Sequence, residues 1–207
     1  MPYYPIFLEL SNKKCLVVGG GEVAERKVES LLESLADVTV VSPKVTERIR
    51  ALADSDKVTL ILRDFEPQDL GEMMLVIAAT DDRAVNSEIS DLAQRRRMLV
   101  NIVDDPELCN FIVPATVRRG DLQICVSTSG GSPMLAKRIR REIEAKYGVE
   151  YGEFLSLLSE ARDVVKAKYT NQKDREAAFQ RLLESDILAK LTVGDAEGAR
   201  TRVNECI

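Results

Sequence analysis

The chain contains no histidine in 207 residues. That absence excludes histidine triads, imidazole metal ligands and histidine general bases, so acid–base chemistry falls to Asp, Glu, Lys, Tyr or Cys. A metal ion would meet carboxylates, thiolates or the nitrogens of a ligand to which it is delivered. No cysteine pair has the C-x-x-C spacing. Cys15, Cys109, Cys125 and Cys206 are scattered, which fits reduced thiols in a cytoplasm better than a disulfide framework. No apolar run approaches the length of a membrane span. The opening MPYYPIFLEL lacks the basic start and long apolar core of a secretory signal. Basic charge is not in excess: Lys+Arg 29 against Asp+Glu 34 leave a formal net charge of -5, so bulk charge does not argue for nucleic acid. There is no internal repeat and no low-complexity segment. A composition 45% hydrophobic and 30% charged is that of a globular chain with one sizeable domain and an extension.

What is present begins with KKCLVVGGGEVAERK, Lys13 to Lys27. Cys15 to Val18 reads as a buried strand. Gly19, Gly20 and Gly21 follow without a spacer, and then Ala24, Val28, Leu31, Leu32 and Leu35 recur at helical spacing. Aligned on Gly19 the pattern is G-x-G-x-x-A, a variant of the dinucleotide fingerprint. The first glycine permits a tight turn, the second lets a pyrophosphate approach the backbone, and Ala24 lets the helix pack closely on the strand. The helix start, at Glu22 and Val23, offers free N–H groups and the positive dipole end to the anion. No glycine stands near position 35 to close this helix, so the turn there must be made another way.

Strands and helices alternate onward. Val38–Val41, Val58–Leu62, Met73–Ala79 and Met98–Val103 are expected strands, and Val45–Ala53 and the Val85, Ile89, Leu92 stripe are expected helices. Ile6, Phe7 and Leu8 suit a short strand or arm. The alternation predicts an α/β, Rossmann-like, doubly wound parallel sheet, whose ligands bind outside the carboxyl ends of the strands. Four such ends carry suitable residues: Gly19–Gly21; Ser42, Pro43 and Lys44; Ala79, Thr80 and Asp81; and Asn101 to Asp104 with Val103 between. The second strand ends without the carboxylate that commonly binds an adenosine ribose. Those contacts fall to Ser42, the backbone near Pro43, or Lys44, and Lys44 raises NADP beside NAD. Asp81 and Asp82 can also cap the next helix.

The pattern changes after Phe111. Arg118-Arg119-Gly120-Asp121 reads as a turn and Leu122–Ser127 as a strand. Ser127, Thr128, Ser129, Gly130, Gly131, Ser132 and Pro133 then lead into a helix bearing Lys137, Arg138, Arg140 and Arg141. Hydroxyls, a glycine turn and a helix N-terminus make either a second anion site or a well-capped helix with a solvated basic face. Tyr151–Lys168 and Arg175–Leu191 read as amphipathic helices of a tail whose stripes suit a core.

The combination resembles the precorrin-2 dehydrogenase family, which includes the N-terminal part of sirohaem synthases. The matching pieces are Tyr4-Pro5-Ile6-Phe7, VVGGGEVAERK from Val17, AATDD from Ala78, NIVDDPELCNFIVPA from Asn101 and STSGGSP from Ser127. The resemblance implies NAD-linked oxidation of precorrin-2 to sirohydrochlorin, NAD ahead of NADP, a homodimer and, in several members, insertion of Fe2+. It also implies a dinucleotide-binding domain over 1–113, a dimerisation region over 114–147 and a helical domain over 148–207. Asp104 falls on the family's proposed acid–base position. The tetrapyrrole substrate carries eight carboxylates, for which Arg118, Arg119, Lys137, Arg138, Arg141 and the Ser127–Ser132 turn are a supply of cations and donors. Many members have serine where this chain has Thr128, and uroporphyrinogen methylation is not expected of a chain this short. The competing expectation is an NAD(H)-sensing module whose helical tail binds a partner.

Overall fold

The structure, a computed structural model, describes residues 3–207. Met1 and Pro2, the start of the stretch read for a secretory signal, lie outside the described residues. The chain divides into two compact units, Met1–Val113 and Pro114–Ile207.

In the first unit, β1 (Lys14–Val18), β2 (Asp37–Val41), β3 (Thr59–Ile61), β4 (Leu75–Ala78) and β5 (Leu99–Ile102) form one parallel sheet in the order β3-β2-β1-β4-β5. The connecting helices are α1 (Glu22–Leu32), α2 (Glu47–Asp54) and α3 (Arg83–Arg95). Side chains alternate across a strand, and β1 shows what that does. Cys15 and Val17 enter a core with Ala24, Val28 and Leu31 of α1 and Ile49 of α2. Leu16 and Val18 enter a second core with Ile89 and Ala93 of α3. Both faces are thus covered, which is why the strands are continuous apolar runs. The order reverses beside β1: β2 and β3 lie on one side, β4 and β5 on the other. That reversal opens a crevice at the carboxyl ends.

In the second unit, β6 (Ala115–Arg119) and β7 (Leu122–Val126) form an antiparallel hairpin. It is followed by α4 (Pro133–Lys146), α5 (Glu150–Lys168), α6 (Gln172–Glu184), α7 (Ile187–Thr192) and α8 (Ala196–Cys206). Gly120, at φ 56°, makes the hairpin turn. Gly152 lets α5 approach that turn, since a Cβ there would lie 3.0 Å from the Arg119 carbonyl. Phe154, Leu157 and Ala161 of α5 share a core with Leu182, Ile187, Leu191, Ala199 and Val203.

Several expectations need correction. Of the two readings of Ile6 to Leu8, a short strand or an arm, the strand does not form; the three residues are exposed and outside any element. α1 ends at Leu32 rather than Leu35; Leu35 takes φ 59° and closes the turn that a glycine would have made. Arg118 and Arg119, read as part of a turn, close the strand β6 instead, and only Gly120 and Asp121 make the turn. The single helix expected over Arg175–Leu191 is broken between α6 and α7, where the Ser185 hydroxyl donates to the Leu182 carbonyl at 2.7 Å.

Candidate functional site

The crevice at the carboxyl end of β1 is a cleft of about 1120 Å³, lined by the glycine turn, Ser42–Thr46, Asp64, Phe65, Ala79–Asp82 and Val85 among others. The three glycines do different work. Gly19 has φ 114°, and a Cβ there would overlap the Ala79 carbonyl. At Gly20 a Cβ would overlap the Lys44 carbonyl and lie 2.9 Å from the Ser42 hydroxyl. Both glycines are therefore demanded by the packing of the chain on itself. Gly21 has ordinary extended backbone, and a Cβ there would meet nothing within 4 Å. Its space is open on the cleft side, at the N-cap of α1, where no side chain takes the helix's first N–H groups. Free N–H groups, a positive helix end and an unobstructed approach fit a pyrophosphate. Ala24 is fully buried under the turn; a larger residue would overpack it at a cost of about 1–3 kcal/mol.

The second strand end is a shaped wall. Ser42 is buried, and its hydroxyl donates to the Lys44 carbonyl at 2.7 Å, so its proton is spent on the turn. Lys44 is exposed at the cleft. Thr46 caps α2 by accepting from the Ile49 N–H. On the other side, the Thr80 hydroxyl bonds Asn86 Oδ1 at 2.8 Å, and Asn86 Nδ2 donates to the Thr80 carbonyl at 3.0 Å. Asn86 is buried and fixes the β4 end from α3; sequence reading gave it no role. Asp82 is the α3 cap, accepting from the Ala84 and Val85 N–H groups.

Of the strand-end residues expected around the cofactor, Gly19–Ala24, Ser42–Lys44 and Ala79–Asp81 stand in or directly under this cleft. Asn101 does not. Its side chain turns away, donating to the Phe111 carbonyl at 3.1 Å and reaching Cys109 Sγ at 3.5 Å. Val103 and Asp104 line a neighbouring cleft of about 710 Å³ with Arg83, Asn86 and Asp105; Asp81 lines both clefts. Asp104 is exposed and sits at φ 62°, a left-handed conformation that aspartate tolerates better than most residues. Asp105 pairs with Arg83 at 3.5 Å. The loop carrying both is pegged by Cys109, whose sulfur accepts from the Ile102 N–H at 3.1 Å and whose thiol reaches the Ile102 and Asp105 carbonyls. Burial pushes the Cys109 thiol above its usual range.

Lys27 closes the fingerprint run and is half-buried on α1. Burial, and then the charge of Arg26, draws its ammonium below the usual lysine range; the negative charge of Asp104 works against them. Lys27 is therefore within electrostatic reach of Asp104. No group of three or more His, Cys, Asp or Glu side chains arranged to hold a metal ion occurs among the described residues. No described helix is long and apolar enough to cross a membrane.

In the second unit the serine–glycine turn is largely self-satisfied. The Ser127 hydroxyl accepts from the Ser129 N–H, the Thr128 hydroxyl from the Ser132 N–H, and the Thr128 carbonyl from the Gly131 N–H. Ser132 caps α4 through the Leu135 N–H. What the turn keeps for a ligand is hydroxyl protons on exposed or half-exposed side chains. Ser129 and Gly130 take positive φ, 52° and 85°. Arg119 is committed to the Tyr147 and Glu144 carbonyls, and Arg138 pairs with Glu142 at 3.0 Å. Lys137 and Arg141 are exposed on α4, and Arg118 is half-buried on β6.

Comparison with known proteins accounts for nearly the whole chain. Residues 6–115 match the family model described as "Putative NAD(P)-binding", residues 119–146 that for the central part of a sirohaem biosynthesis protein, and residues 150–207 that for the sirohaem synthase dimerisation region. The dimerisation match thus falls C-terminal to the segment 114–147 that was expected to dimerise. The siroheme synthase of Pseudoalteromonas translucida is 39% identical over all of this chain and 44% of its own length. That of Thioalkalivibrio sulfidiphilus is 40% identical over all of this chain and 42% of its own length. The chain spans less than half the length of these curated relatives. Among solved structures, SirC, a precorrin-2 dehydrogenase, superposes with a TM-score of 0.80 at 25% identity, covering 98% of this chain and 100% of SirC. With a cleft at the switch point of its parallel sheet and a family model matching more than half of its length, the chain belongs to the putative NAD(P)-binding family, and its later segments match the sirohaem central and dimerisation models in order.

Proposed function

We propose that this protein is an NAD-dependent precorrin-2 dehydrogenase, forming sirohydrochlorin in sirohaem biosynthesis. One observation carries the nucleotide half of the reading. Gly19 and Gly20 are required by the protein's own packing, whereas Gly21 leaves its space open at an uncapped helix start. The likeness to SirC over its full length supports the substrate. NAD+, when bound, supplies the hydride acceptor. The chain's residues do the rest. The α1 N-terminus and the Gly19–Val23 backbone hold the pyrophosphate, and Ala79, Thr80 and Asp81 wall the cleft. Asp104, exposed and held by the Cys109 peg, takes the proton that leaves the macrocycle. Arg118, Lys137 and Arg138, with the hydroxyls of Ser127, Thr128 and Ser129 and the turn at Gly130 and Gly131, meet substrate carboxylates. Residues 1–113 serve the dinucleotide, and 114–147 and 148–207 serve the substrate and a homodimer; the match of 150–207 to a dimerisation region supports the homodimer. The reading places the enzyme in the cytoplasm, where scattered thiols stay reduced. Ferrous iron, if inserted, is a substrate that meets the tetrapyrrole nitrogens.

The test is anaerobic turnover of precorrin-2 with NAD+, read as NADH and as the tetrapyrrole spectrum, before and after addition of Fe2+. Asp104→Ala is expected to lose turnover by 10²–10⁴-fold, the range of a general base, while its NAD+ affinity changes less than twofold. Unchanged turnover in that variant removes Asp104 from the mechanism. Tight NAD+ binding without either product in the wild type favours the NAD(H)-sensing module instead.

A further inference from the structure

Dinucleotide folds of this type place a carboxylate at the end of the second strand to accept both hydroxyls of the adenosine ribose. Here β2 ends in Ser42-Pro43-Lys44, and the Ser42 proton is already given to the Lys44 carbonyl. Four carboxylates line the cleft: Glu22, Asp64, Asp81 and Asp82. Glu22 opens α1 beside the glycine turn, where the pyrophosphate belongs. Asp82 is occupied capping α3. Asp81 follows β4, on the opposite side of β1 from β2 and β3. Asp64 alone comes from the β2–β3 side, where the adenosine half lies in a sheet of this order. It is exposed, and its carboxylate has no hydrogen-bond or ion-pair partner among the described residues.

The loop is held so that this carboxylate stays free. Arg63 donates from both terminal nitrogens to Asp69, at 2.8 and 2.6 Å, and also to the Asp64 carbonyl at 2.8 Å. The adjacent guanidinium of Arg63 is thereby committed to Asp69, whose side chain is only 5% exposed. The Arg63 hydrogen bonds draw the Asp69 carboxyl below the usual range. Phe65, half-buried in the core next to Asp64, adds an apolar wall to the same cleft.

We propose that Asp64 supplies the ribose-binding carboxylate missing from the end of β2, and that it makes the site selective for NAD over NADP. A carboxylate is an acceptor matched to two hydroxyl donors. It repels the 2′-phosphate that NADP carries at the same place, so Lys44 does not confer NADP binding. The inference rests on the dinucleotide reading of the cleft.

Binding is measured by calorimetry for NAD+, NADP+ and ADP-ribose, with wild type, Asp64→Ala and Asp64→Asn. The wild type is expected to prefer NAD+. Asp64→Ala is expected to weaken NAD+ and ADP-ribose alike by roughly tenfold, a factor in keeping with one charged hydrogen-bond acceptor. It should leave NADP+ unchanged or tighter, so the preference collapses. Asp64→Asn, which keeps an acceptor and removes the charge, is expected to recover part of the NAD+ affinity while still admitting NADP+. An unchanged ratio of NAD+ to NADP+ affinity in Asp64→Ala, with an unaltered melting temperature, overturns the assignment. If the wild type binds none of the three ligands, the dinucleotide reading itself fails and this inference with it.

Discussion

Gly19 and Gly21 stand two positions apart in one turn, yet substitution should separate folding from binding. Alanine at Gly19 would adopt φ 114° and press its methyl into the Ala79 carbonyl. Strain and overpacking together are expected to cost about 2–4 kcal/mol, read as a lower melting temperature without ligand. Alanine at Gly21 meets open space and an ordinary backbone. Its stability should stay within about 1 kcal/mol, because the poorer N-cap is offset by a less flexible unfolded chain. Its methyl would occupy the approach of the pyrophosphate, so NAD+ affinity should fall at least tenfold. A Gly21→Ala protein that melts normally and binds NAD+ normally would mean that the pyrophosphate does not lie over this turn.

The end of α1 shows how an element is closed without the usual residue. The Leu35 N–H donates to the Leu32 carbonyl and the Ala36 N–H to the Leu31 carbonyl, with Leu35 at φ 59°. A left-handed conformation costs a residue with a Cβ roughly 1–2 kcal/mol, and Leu35 is 70% exposed, so little burial compensates it. Leu35→Gly is expected to stabilise the protein by about 0.5–1 kcal/mol, after the entropy that glycine adds to the unfolded chain. Denaturant titration at fixed pH checks it, and a destabilised variant would show that the side chain contributes packing. The five strands and three helices of this unit were legible because each is a local pattern: a continuous apolar run, or a stripe such as Val85, Ile89 and Leu92. β6 was not, because Ala115–Arg119 becomes a strand only by pairing with β7. The α6–α7 break carries no glycine or proline, so periodicity ran through it. The site divides in the same way. The glycine turn and the Asp82 cap are local and were read. Asn101, turned toward Phe111, and Asp64, brought to the cleft from the far side of β2, depend on contacts distant in sequence.

At the scale of the whole molecule, the two units have separate cores: two on the faces of the sheet, and one among α5 to α8. The cleft at the carboxyl end of β1 is built wholly from the first unit. A ligand that binds only folded protein stabilises what it binds by RT ln(1 + [L]/Kd), about 2.7 kcal/mol at a hundredfold excess over Kd. NAD+ is therefore expected to raise the unfolding transition that reports on the first unit, such as alkylation of the fully buried Cys15 on β1. Protection of Cys206, buried in the core of the second unit, should change far less. Pulsed alkylation along a urea gradient, with and without NAD+, reads both thiols in one experiment. If Cys15 alone is protected to higher urea, the units unfold separately and the cofactor acts on one. If both thiols move together by the same increment, the units unfold as one cooperative body, and NAD+ stabilises the second unit as strongly as the first.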